Sequence, residues 1–352
     1  MTPDQSDIRF GCFLPIPAAP VDKLLKIAKI NEEAGFDSIW APDHLLFIPP
    51  GIVPEAWSML AAAAIVTEKA TLGTCVSDPH RHHPAVLAQK VATVDQISGG
   101  RVTLGLGAGE AMNLEPYGID WKRPVSRLIE FTTIVRKFWS GETFNYEGEF
   151  WKLRDAFLQI RPSRGTIPIY FGANSPRMLE VTGEIADGWL STPLSPTLFN
   201  KRLSLVKKGA EKANRPLNEI DVGAYLYTSV TEKSEDASKQ IEKMKAQVIP
   251  SPQLLKEAGY HVELSEELQS ISYFKALLNS EWLEKFLTFA ESIPLNAAIE
   301  FSITGTTEDC IEKIEAYIKA GVKHFLLLNA GPDPRSVVKV YREEIIPYFK
   351  KS

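Results

Sequence analysis

The stretch that decides the fold is PAVLAQKVATVDQISGGRVTLGLGAGEAMN, residues 84–113. It begins with a proline and carries apolar residues at helical spacing up to Ile97, which predicts a helix, because proline is favoured in a first helical turn. The apolar run 102–107 then predicts a buried strand. This strand leads into the polar, glycine-rich segment 107–113 and does not open another helix at once. A helix, a strand and a polar loop form the repeating unit of folds with parallel strands.

The same alternation extends in both directions from this unit. It predicts an all-parallel sheet closed as a (β/α)8 barrel, an α/β TIM barrel. The alternative, an open doubly wound sheet, would place a G-x-G-x-x-G turn after an early strand; LGLGAGE (104–110) resembles that turn but follows the fourth strand. The predicted strands are 8–14, 36–41, 70–76, 102–107, 168–171, 188–191, 222–230 and 324–329, with an extended segment at 299–303. The predicted helices are 21–34, 55–67, 84–97, 124–139, 176–185, 198–213, 307–320 and 334–348.

Two segments interrupt the alternation. NYEGEFWKLRDAFLQIR (145–161) alternates with period two and predicts a hairpin on the barrel rim. The stretch 232–294 is too long for one barrel helix, and prolines at 250 and 252 interrupt it. We predict that it is a helical insertion that caps the pocket and selects substrate. Residues 1–352 are expected to form one domain.

Composition excludes several classes of protein. The 39 Lys and Arg residues against 44 Asp and Glu give a net charge of -5, whereas nucleic-acid-binding proteins usually carry an excess of basic residues. The longest apolar stretch, 59–66, is far shorter than the ~18 residues of a membrane span. The polar N-terminal segment does not resemble an export signal, and the three cysteines show no disulfide framework. We therefore expect a cytoplasmic protein without nucleic-acid or membrane partners.

Polar residues follow four successive predicted strands. His44 follows the second, Cys75 lies at the carboxyl end of the third, Glu110 follows the fourth and Asn174 the fifth. Because the working residues of a (β/α)8 barrel lie at the carboxyl ends of its strands, we expect these residues to share a pocket.

His44 and Glu110 are the candidate acid–base residues. A histidine exchanges protons near neutral pH, and a carboxylate in an apolar pocket can act as a general acid. The alternatives are a histidine that satisfies a backbone carbonyl and a glutamate that favours a helix N-terminus. Cys75 has no base at a recognisable spacing, so we expect it to pack against a flat ligand and not to act as a nucleophile.

Two further groups have competing interpretations. Asn174 and Ser175 precede a predicted helix, where free backbone N–H groups can bind an anion, although Ser175 could simply cap the helix. His80, His82 and His83 lie close together in the sequence. Nothing nearby supplies the further ligands of a zinc site, so we expect no metal.

The sequence resembles the bacterial-luciferase-like superfamily of flavin- and coenzyme F420-dependent oxidoreductases from about residue 8 to residue 348. The Asp-His pair after strand two and GAGEAMN after strand four are most similar to the F420-dependent alcohol and sugar-phosphate dehydrogenases. The resemblance implies hydride transfer between F420 and a small organic substrate, with an alcohol or ketone as the first class. The matching segments are GFDSIWAPDH (35–44), HPAVLAQKVATVDQISGGRVTLGLGAGEAMN (83–113), EGEFWKL (147–153), GANSPRMLEVTGEIADGW (172–189) and GTTEDCIEKIEAYIKAGVKHF (305–325).

The resemblance also implies roles for individual residues. It makes His44 the base toward a substrate hydroxyl and Glu110 an acid or base near the cofactor ring. It further implies a homodimer and a non-prolyl cis peptide after strand three that lies against the ring. The implied cofactor-binding residues are Cys75 and Val76 at that cis peptide, Asp43 and Asn113 in the ring pocket, and Asn174 and Ser175 at the cofactor phosphate.

Several departures leave the substrate open. Phe47 is the one aromatic residue in the stretch where related enzymes carry a tryptophan, and the segment 191–194 lacks the lysine of the sugar-phosphate enzymes, which argues against glucose 6-phosphate. GIDWKRPVSRLIE (118–130) resembles the methylenetetrahydromethanopterin reductases, but Gly11-Cys12-Phe13 lacks their acidic residue on strand one. A methylene-tetrahydropterin is therefore the second substrate class. An FMN-dependent monooxygenase and a non-catalytic flavin-binding barrel are the alternatives.

Overall fold

The computed structural model describes residues 7–15, 20–47, 51–276 and 279–350. Its strands are β1 (Arg9–Phe13), β2 (Ser38–Ala41), β3 (Thr71–Thr74), β4 (Val102–Gly107), β5 (Phe144–Glu147), β6 (Lys152–Ala156), β7 (Ile169–Gly172), β8 (Gly188–Ser191), β9 (Asp221–Val230), β10 (Ile303–Gly305) and β11 (His324–Asn329). Eight of them pair in parallel in the order β1-β2-β3-β4-β7-β8-β9-β11, and β11 pairs with β1 to close the ring. This confirms the predicted (β/α)8 barrel.

Helices form the outer layer. They are α1 (Val21–Glu33), α2 (Ala56–Val66), α3 (Pro84–Ser98), α4 (Pro124–Ser140), α5 (Pro176–Ile185), α6 (Pro196–Lys212), α7 (Ser234–Glu242), α8 (Lys245–Val248), α9 (Pro252–Glu257), α10 (Glu266–Gln269), α11 (Ser280–Ser292), α12 (Leu295–Glu300), α13 (Thr307–Ala320), α14 (Pro334–Val340) and α15 (Ile346–Lys350), with a π-helical turn at Tyr341–Ile345. A proline opens each of α3 to α6, and Gly99 ends α3 in the left-handed conformation. Within the described residues, no helix is long and apolar enough to cross a membrane.

A polar network around Asp221 fills the amino end of the barrel. Its carboxylate pairs with Arg9 at 2.5 Å and accepts the Tyr170 hydroxyl at 2.6 Å. His324 Nδ1 lies 3.5 Å from the same carboxylate, and its Nε2 is 2.7 Å from the Ser38 hydroxyl. Because these residues come from five different strands, the network joins β1, β2, β7, β9 and β11 through the interior.

Trp40 fills the middle of the barrel. Its ring centroid is 6.3 Å from that of Tyr170, although β2 and β7 are not neighbours, so the contact crosses the barrel. Gly11 and Gly73 face Trp40 from the adjacent strands, and a Cβ at either position would clash with its side chain. Trp40 packs with Phe13, Tyr170, Leu190 and Leu326. Space for a ligand therefore lies at the carboxyl ends of the strands.

The predicted hairpin is confirmed as the antiparallel pair β5–β6. Glu130 of α4 holds its turn, because its carboxylate accepts the backbone N–H groups of Glu149, Phe150 and Trp151. The Trp151 ring packs on Phe131 at 5.6 Å. The hairpin is thus attached to the helix that follows β4.

The helical insertion is confirmed, but it is not one long helix. Helices α7 to α12 are short and separated, since prolines and polar turns interrupt them; residues 277–278 lie outside the described residues. The predicted extended segment at 299–303 is wrong, because α12 starts after Pro294 and continues to Glu300. The strand begins only at Ile303 and pairs with the end of β9. Strand β3 also ends earlier than predicted, at Thr74.

Acid should destabilise this barrel through His324. Burial lowers the pKa of His324, although Asp221 partly offsets this effect. Below pH 6.5 the unfolded chain therefore takes up a proton that the folded chain does not, and stability is lost as pH falls. Between pH 7 and pH 5, the unfolding free energy of the unmodified protein should fall by about 1–2 kcal/mol more than that of the His324→Gln variant.

Urea titrations at both pH values measure this difference. The control His261→Gln replaces an exposed histidine and should leave the pH dependence unchanged. An equal fall in stability for all three proteins would contradict the role given to His324.

Candidate active site

A cavity of about 320 Å³ lies at the carboxyl ends of the barrel strands. The loops after β2, β3, β4 and β7 contribute to it, as predicted. The catalytic and cofactor-binding residues that the sequence indicated all line this cavity, which brings together Asp43, His44, Cys75, Val76, Glu110, Asn113, Asn174 and Ser175.

His44 and Glu110 face each other across this cavity. The Nε2 atom of His44 is 3.7 Å from Oε2 of Glu110, and both side chains are mostly buried. The Nδ1 atom of His44 is 3.2 Å from the Leu46 carbonyl oxygen, and its ring lies 5.3 Å from the Phe47 ring. One ring nitrogen is therefore held by the protein, and the other faces a carboxylate.

Asn113 lies between these two side chains. Its Oδ1 accepts the backbone N–H groups of Leu45 at 2.7 Å and Leu46 at 2.9 Å. Its Nδ2 is 3.3 Å from both Oε2 of Glu110 and Nδ1 of His44. Asn113 thus joins the loop after β2 to the loop after β4.

Asp43 belongs to a buried ionic cluster. Arg81 donates to Oδ1 of Asp43 at 3.1 Å, to its backbone carbonyl at 2.6 Å and to Asp78 at 2.5 Å. The Ser77 hydroxyl donates to Oδ2 of Asp43 at 2.5 Å, and His82 Nε2 lies 3.7 Å from the same oxygen. Burial opposes the charged form, but His82, Arg81 and Ser77 outweigh it and hold the pKa of Asp43 well below its usual value.

The floor of the cavity contains the Cys75–Val76 peptide, which is cis, as the resemblance implied. Gly107 and Gly172 face the Val76 side chain, and a Cβ at Gly107 would clash with it. Burial, reinforced by the Glu110 charge, raises the pKa of the Cys75 thiol to about 12. The thiol is therefore protonated at neutral pH, as expected of a packing residue and not of a nucleophile.

Asn174 and Ser175 form the polar end of the cavity near α5. Ser175 caps this helix by accepting the Met178 N–H at 3.4 Å, which confirms the capping interpretation. Asn174 accepts the Thr192 hydroxyl at 2.8 Å. The nearby Ser191 hydroxyl is buried, lines the cavity and has no hydrogen-bond partner among the described residues.

The three neighbouring histidines have separate contacts. His80 Nδ1 is 3.1 Å from the Asp120 carbonyl oxygen, His82 faces Asp43, and His83 Nδ1 accepts the Ala85 N–H at the start of α3. In the part of the chain that the structure describes, no group of three or more potential ligands converges on a metal-sized site.

Sequence reasoning missed several lining residues. Tyr225 and Tyr227 lie on β9, and Gln247 and Tyr273 come from the helical insertion. The tyrosines were accessible to prediction, because alternate residues of a barrel strand face inward. Burial raises the pKa of Tyr227 to about 12 and holds that of Tyr225 well above its usual value, so both phenols are neutral at pH 7.

A closed parallel barrel with a polar cavity at its carboxyl end is the architecture of a barrel enzyme. Residues 8–324 match the family model of the luciferase-like monooxygenases, and the chain belongs to this family. It is 32% identical to the 5,10-methylenetetrahydromethanopterin reductase of Archaeoglobus fulgidus over 339 residues, which cover 95% of this chain and 98% of that protein. It is 31% identical to the F420-dependent glucose-6-phosphate dehydrogenase of Nakamurella multipartita over 362 residues, which cover 99% and 98%.

Two solved structures are similar over nearly their whole length. The coenzyme F420-dependent tetrahydromethanopterin reductase of Methanopyrus kandleri superposes with a TM-score of 0.82 at 28% identity, and the match covers 97% of this chain and 99% of that one. An F420-dependent secondary alcohol dehydrogenase in complex with an F420–acetone adduct gives a TM-score of 0.81 at 25% identity, with 96% and 97% covered.

Removing the Arg81 charge should destabilise the protein strongly. Arg81→Met leaves Asp43 and Asp78 buried without a cation, which typically costs about 3–5 kcal/mol. The double variant Arg81→Met/Asp43→Asn should lose at least about 1 kcal/mol less unfolding free energy than the two single variants lose together. Equilibrium urea unfolding measures these free energies.

Arg335→Met is the matched control, because Arg335 is exposed. It should change stability by less than about 0.5 kcal/mol. Additive single-variant costs would show that Arg81 and Asp43 are not coupled.

Proposed function

We propose that this chain is an F420-dependent oxidoreductase that interconverts a small secondary alcohol and its ketone. The observation that carries the proposal is the His44–Glu110 pair, which lies in the carboxyl-end cavity of a chain related over its full length to F420-dependent enzymes. When bound, F420 would accept the hydride during oxidation or donate it during reduction.

The cavity fits such a cofactor in shape and in chemistry. The cis segment Cys75–Val76 provides an apolar floor for a flat ring system. At the other end, donors for an anionic group come from the start of α5 at Ser175 and from the Ser191 hydroxyl, which has no hydrogen-bond partner among the described residues. We propose that these residues, with Asn174 and Asp43, hold F420.

The proton of the substrate hydroxyl is exchanged with His44. During alcohol oxidation, Nε2 of His44 accepts this proton while the hydride leaves the carbinol carbon. During ketone reduction, the same atom returns the proton to the oxygen. Glu110, 3.7 Å from Nε2, stabilises the imidazolium form of His44.

The remaining cavity wall favours an uncharged substrate. Tyr225, Tyr227 and Gln247 offer neutral hydrogen-bonding groups. Among the described lining residues, Arg81 is the one Lys or Arg side chain, and Asp43 and Asp78 already neutralise it. A substrate phosphate would find no free Lys or Arg among the described residues that line the cavity, which supports an alcohol or ketone over a sugar phosphate.

A methylene-tetrahydropterin is the second candidate substrate. The whole-length similarity to the reductase of Archaeoglobus fulgidus favours it. Against it, Arg9, Gly11 and Phe13 are the residues of β1 that face the barrel interior, and none of them is acidic. Assays of the F420-loaded protein with secondary alcohols and with methylene-tetrahydromethanopterin separate the two classes.

Cofactor choice is tested by fluorescence titration of the purified protein with F420 and with FMN. Binding of F420 in preference to FMN is the expected result. Preference for FMN, with oxygen consumption in the presence of a reductant, would replace this proposal with a monooxygenase. Binding without turnover of any substrate would favour a flavin-binding barrel.

The His44→Gln and Glu110→Gln variants should lower kcat for alcohol oxidation by about 10²–10⁴-fold, because each removes a proton-transfer or charge-stabilising group. The F420 dissociation constant should stay within about threefold, since the cofactor is bound mainly by other groups. His261→Gln, at an exposed position, is the control. Undiminished turnover in both variants would eliminate this acid–base pair.

We further propose a cytoplasmic homodimer whose polypeptide forms one domain. The free cysteines Cys12, Cys75 and Cys310 support a reducing location. Helix α2 (AWSMLAAAAIV) carries no charge, and Ile65 on it is 77% exposed, as expected of a helix covered by a partner.

Ile65→Lys should convert the dimer to monomer at micromolar concentration, because a charge would be buried in the interface. Analytical ultracentrifugation measures the state. Ile30→Lys on α1, which replaces another exposed isoleucine, should remain dimeric. A monomeric unmodified protein would refute the homodimer.

A further inference from the structure

We propose that Gln247 selects the substrate, and that the substrate is a small alcohol or ketone with a second uncharged oxygen, such as a diol or a hydroxy ketone. This inference rests on the proposed function, because it concerns the substrate of the same site. Gln247 is a specificity-determining residue in this account, and proton transfer stays with His44 and Glu110.

Gln247 is presented to the cavity by a turn of the insertion that is anchored in the core. It belongs to the short helix α8, and the residues on either side of it, Ala246 and Val248, are buried. Its backbone N–H donates to the Met244 carbonyl oxygen at 3.0 Å. Gln247 itself is half-buried and lines the cavity. The packing of its neighbours therefore holds its side chain at the cavity wall.

The side-chain amide of Gln247 has unused hydrogen-bonding capacity. An amide of this kind has two N–H hydrogens and an oxygen with two lone pairs. In the described part of the chain, no other residue hydrogen-bonds to the Gln247 amide. A half-buried polar group without a protein partner is satisfied by water or by a ligand. The amide can therefore donate to, and accept from, a molecule bound in the cavity.

The insertion lies beside the loop that carries the candidate acid–base glutamate. Gln247 and Tyr273 both come from the insertion and line the cavity. The turn Tyr273–Lys275 packs against the turn Ala111–Asn113, which directly follows Glu110. A substrate that contacts Glu110 is thus bordered by the insertion, and its part beyond the reacting carbon faces this wall.

The charges of the cavity indicate an uncharged partner for Gln247. Arg81 is the one Lys or Arg side chain among the described lining residues, and Asp43 and Asp78 pair with it. An ion bound against the neutral amide would lose its hydration without gaining a counter-charge there. A hydroxyl or carbonyl oxygen suits the amide, because either one can form a hydrogen bond with it.

The rest of the wall limits how polar the substrate can be. Apolar side chains form much of it, among them Phe13, Phe47, Leu190 and Leu328. Hydroxyl groups directed at these side chains would be buried without partners, which weakens binding. A substrate with one oxygen in addition to the reacting oxygen therefore fits this wall better than a sugar with several.

Two pairs of alcohols test this inference. Propylene glycol adds one hydroxyl to isopropanol, and the butanediol with hydroxyls on its first and third carbons adds one to secondary butanol. For at least one pair, the F420-loaded protein should show a kcat/KM at least about tenfold higher for the diol, because an alcohol without the second oxygen leaves the amide unpaired. Gln247→Leu should lower kcat/KM for that diol at least about tenfold and leave the value for the simple alcohol within about threefold.

Gln253→Leu is the matched control. Gln253 is an exposed glutamine of the same insertion, its amide donates to Glu257 at 3.0 Å, and it is not among the lining residues. This variant should keep the preference for the diol. Equal kcat/KM values within both pairs for the unmodified protein, or an unchanged preference in Gln247→Leu, would overturn the inference. Gln247→Met, which keeps the length of the side chain, replaces Gln247→Leu if that variant does not fold.

Saturation-transfer NMR tests the same contact without turnover. With and without F420, the unmodified protein should bind the diol in preference to the simple alcohol, and Gln247→Leu should lose this preference. If no alcohol is oxidised but the NMR preference depends on Gln247, the proposed function fails and the contact of Gln247 stands. If alcohols are oxidised but neither assay depends on Gln247, the inference fails and the proposed function stands. The two failures are therefore distinguishable.

Discussion

The structure depends on the buried carboxylate of Asp221. A charge in a barrel interior is costly unless several partners satisfy it, and Arg9, Tyr170 and His324 provide them from three other strands. Burial alone would raise the pKa of Asp221, but the combined effect of these neighbours holds it well below its usual value. Because the partners lie on strands far apart in the sequence, the network forms only when the ring of strands is closed in one register.

The layers above this network explain why the cavity lies at one end. Trp40 fills the middle of the barrel, and glycines at 11 and 73 make room for it. The next inward positions are Phe13, Cys75 and Tyr225, which line the cavity. The polar network occupies the amino end of the barrel, and side chains pack densely in its middle. The open space therefore lies at the carboxyl end, where we propose that F420 and a substrate bind.

In the site, as at the amino end of the barrel, buried polar groups are held by residues from several elements. Arg81 fixes both the backbone and the carboxylate of Asp43, and Asn113 fixes the two residues that follow His44. The loop that carries the candidate base is thus held on both sides.

By itself, the sequence determined the barrel, the hairpin, the helical insertion and the loops that meet at the cavity, because periodicity, helix caps and strand order are local signals. It also placed His44 and Glu110 correctly in the cavity. It failed where partners are distant: the ionic cluster of Arg81, the inward tyrosines of β9 and the start of β10 at Ile303. Only the tertiary structure decided that Asn113 joins the loop after β4 to the loop after β2, because its partners Leu45, Leu46 and His44 lie 67 or more residues away in the sequence. Hydrogen bonds across such distances depend on how the strands close, and no local pattern of residues encodes them.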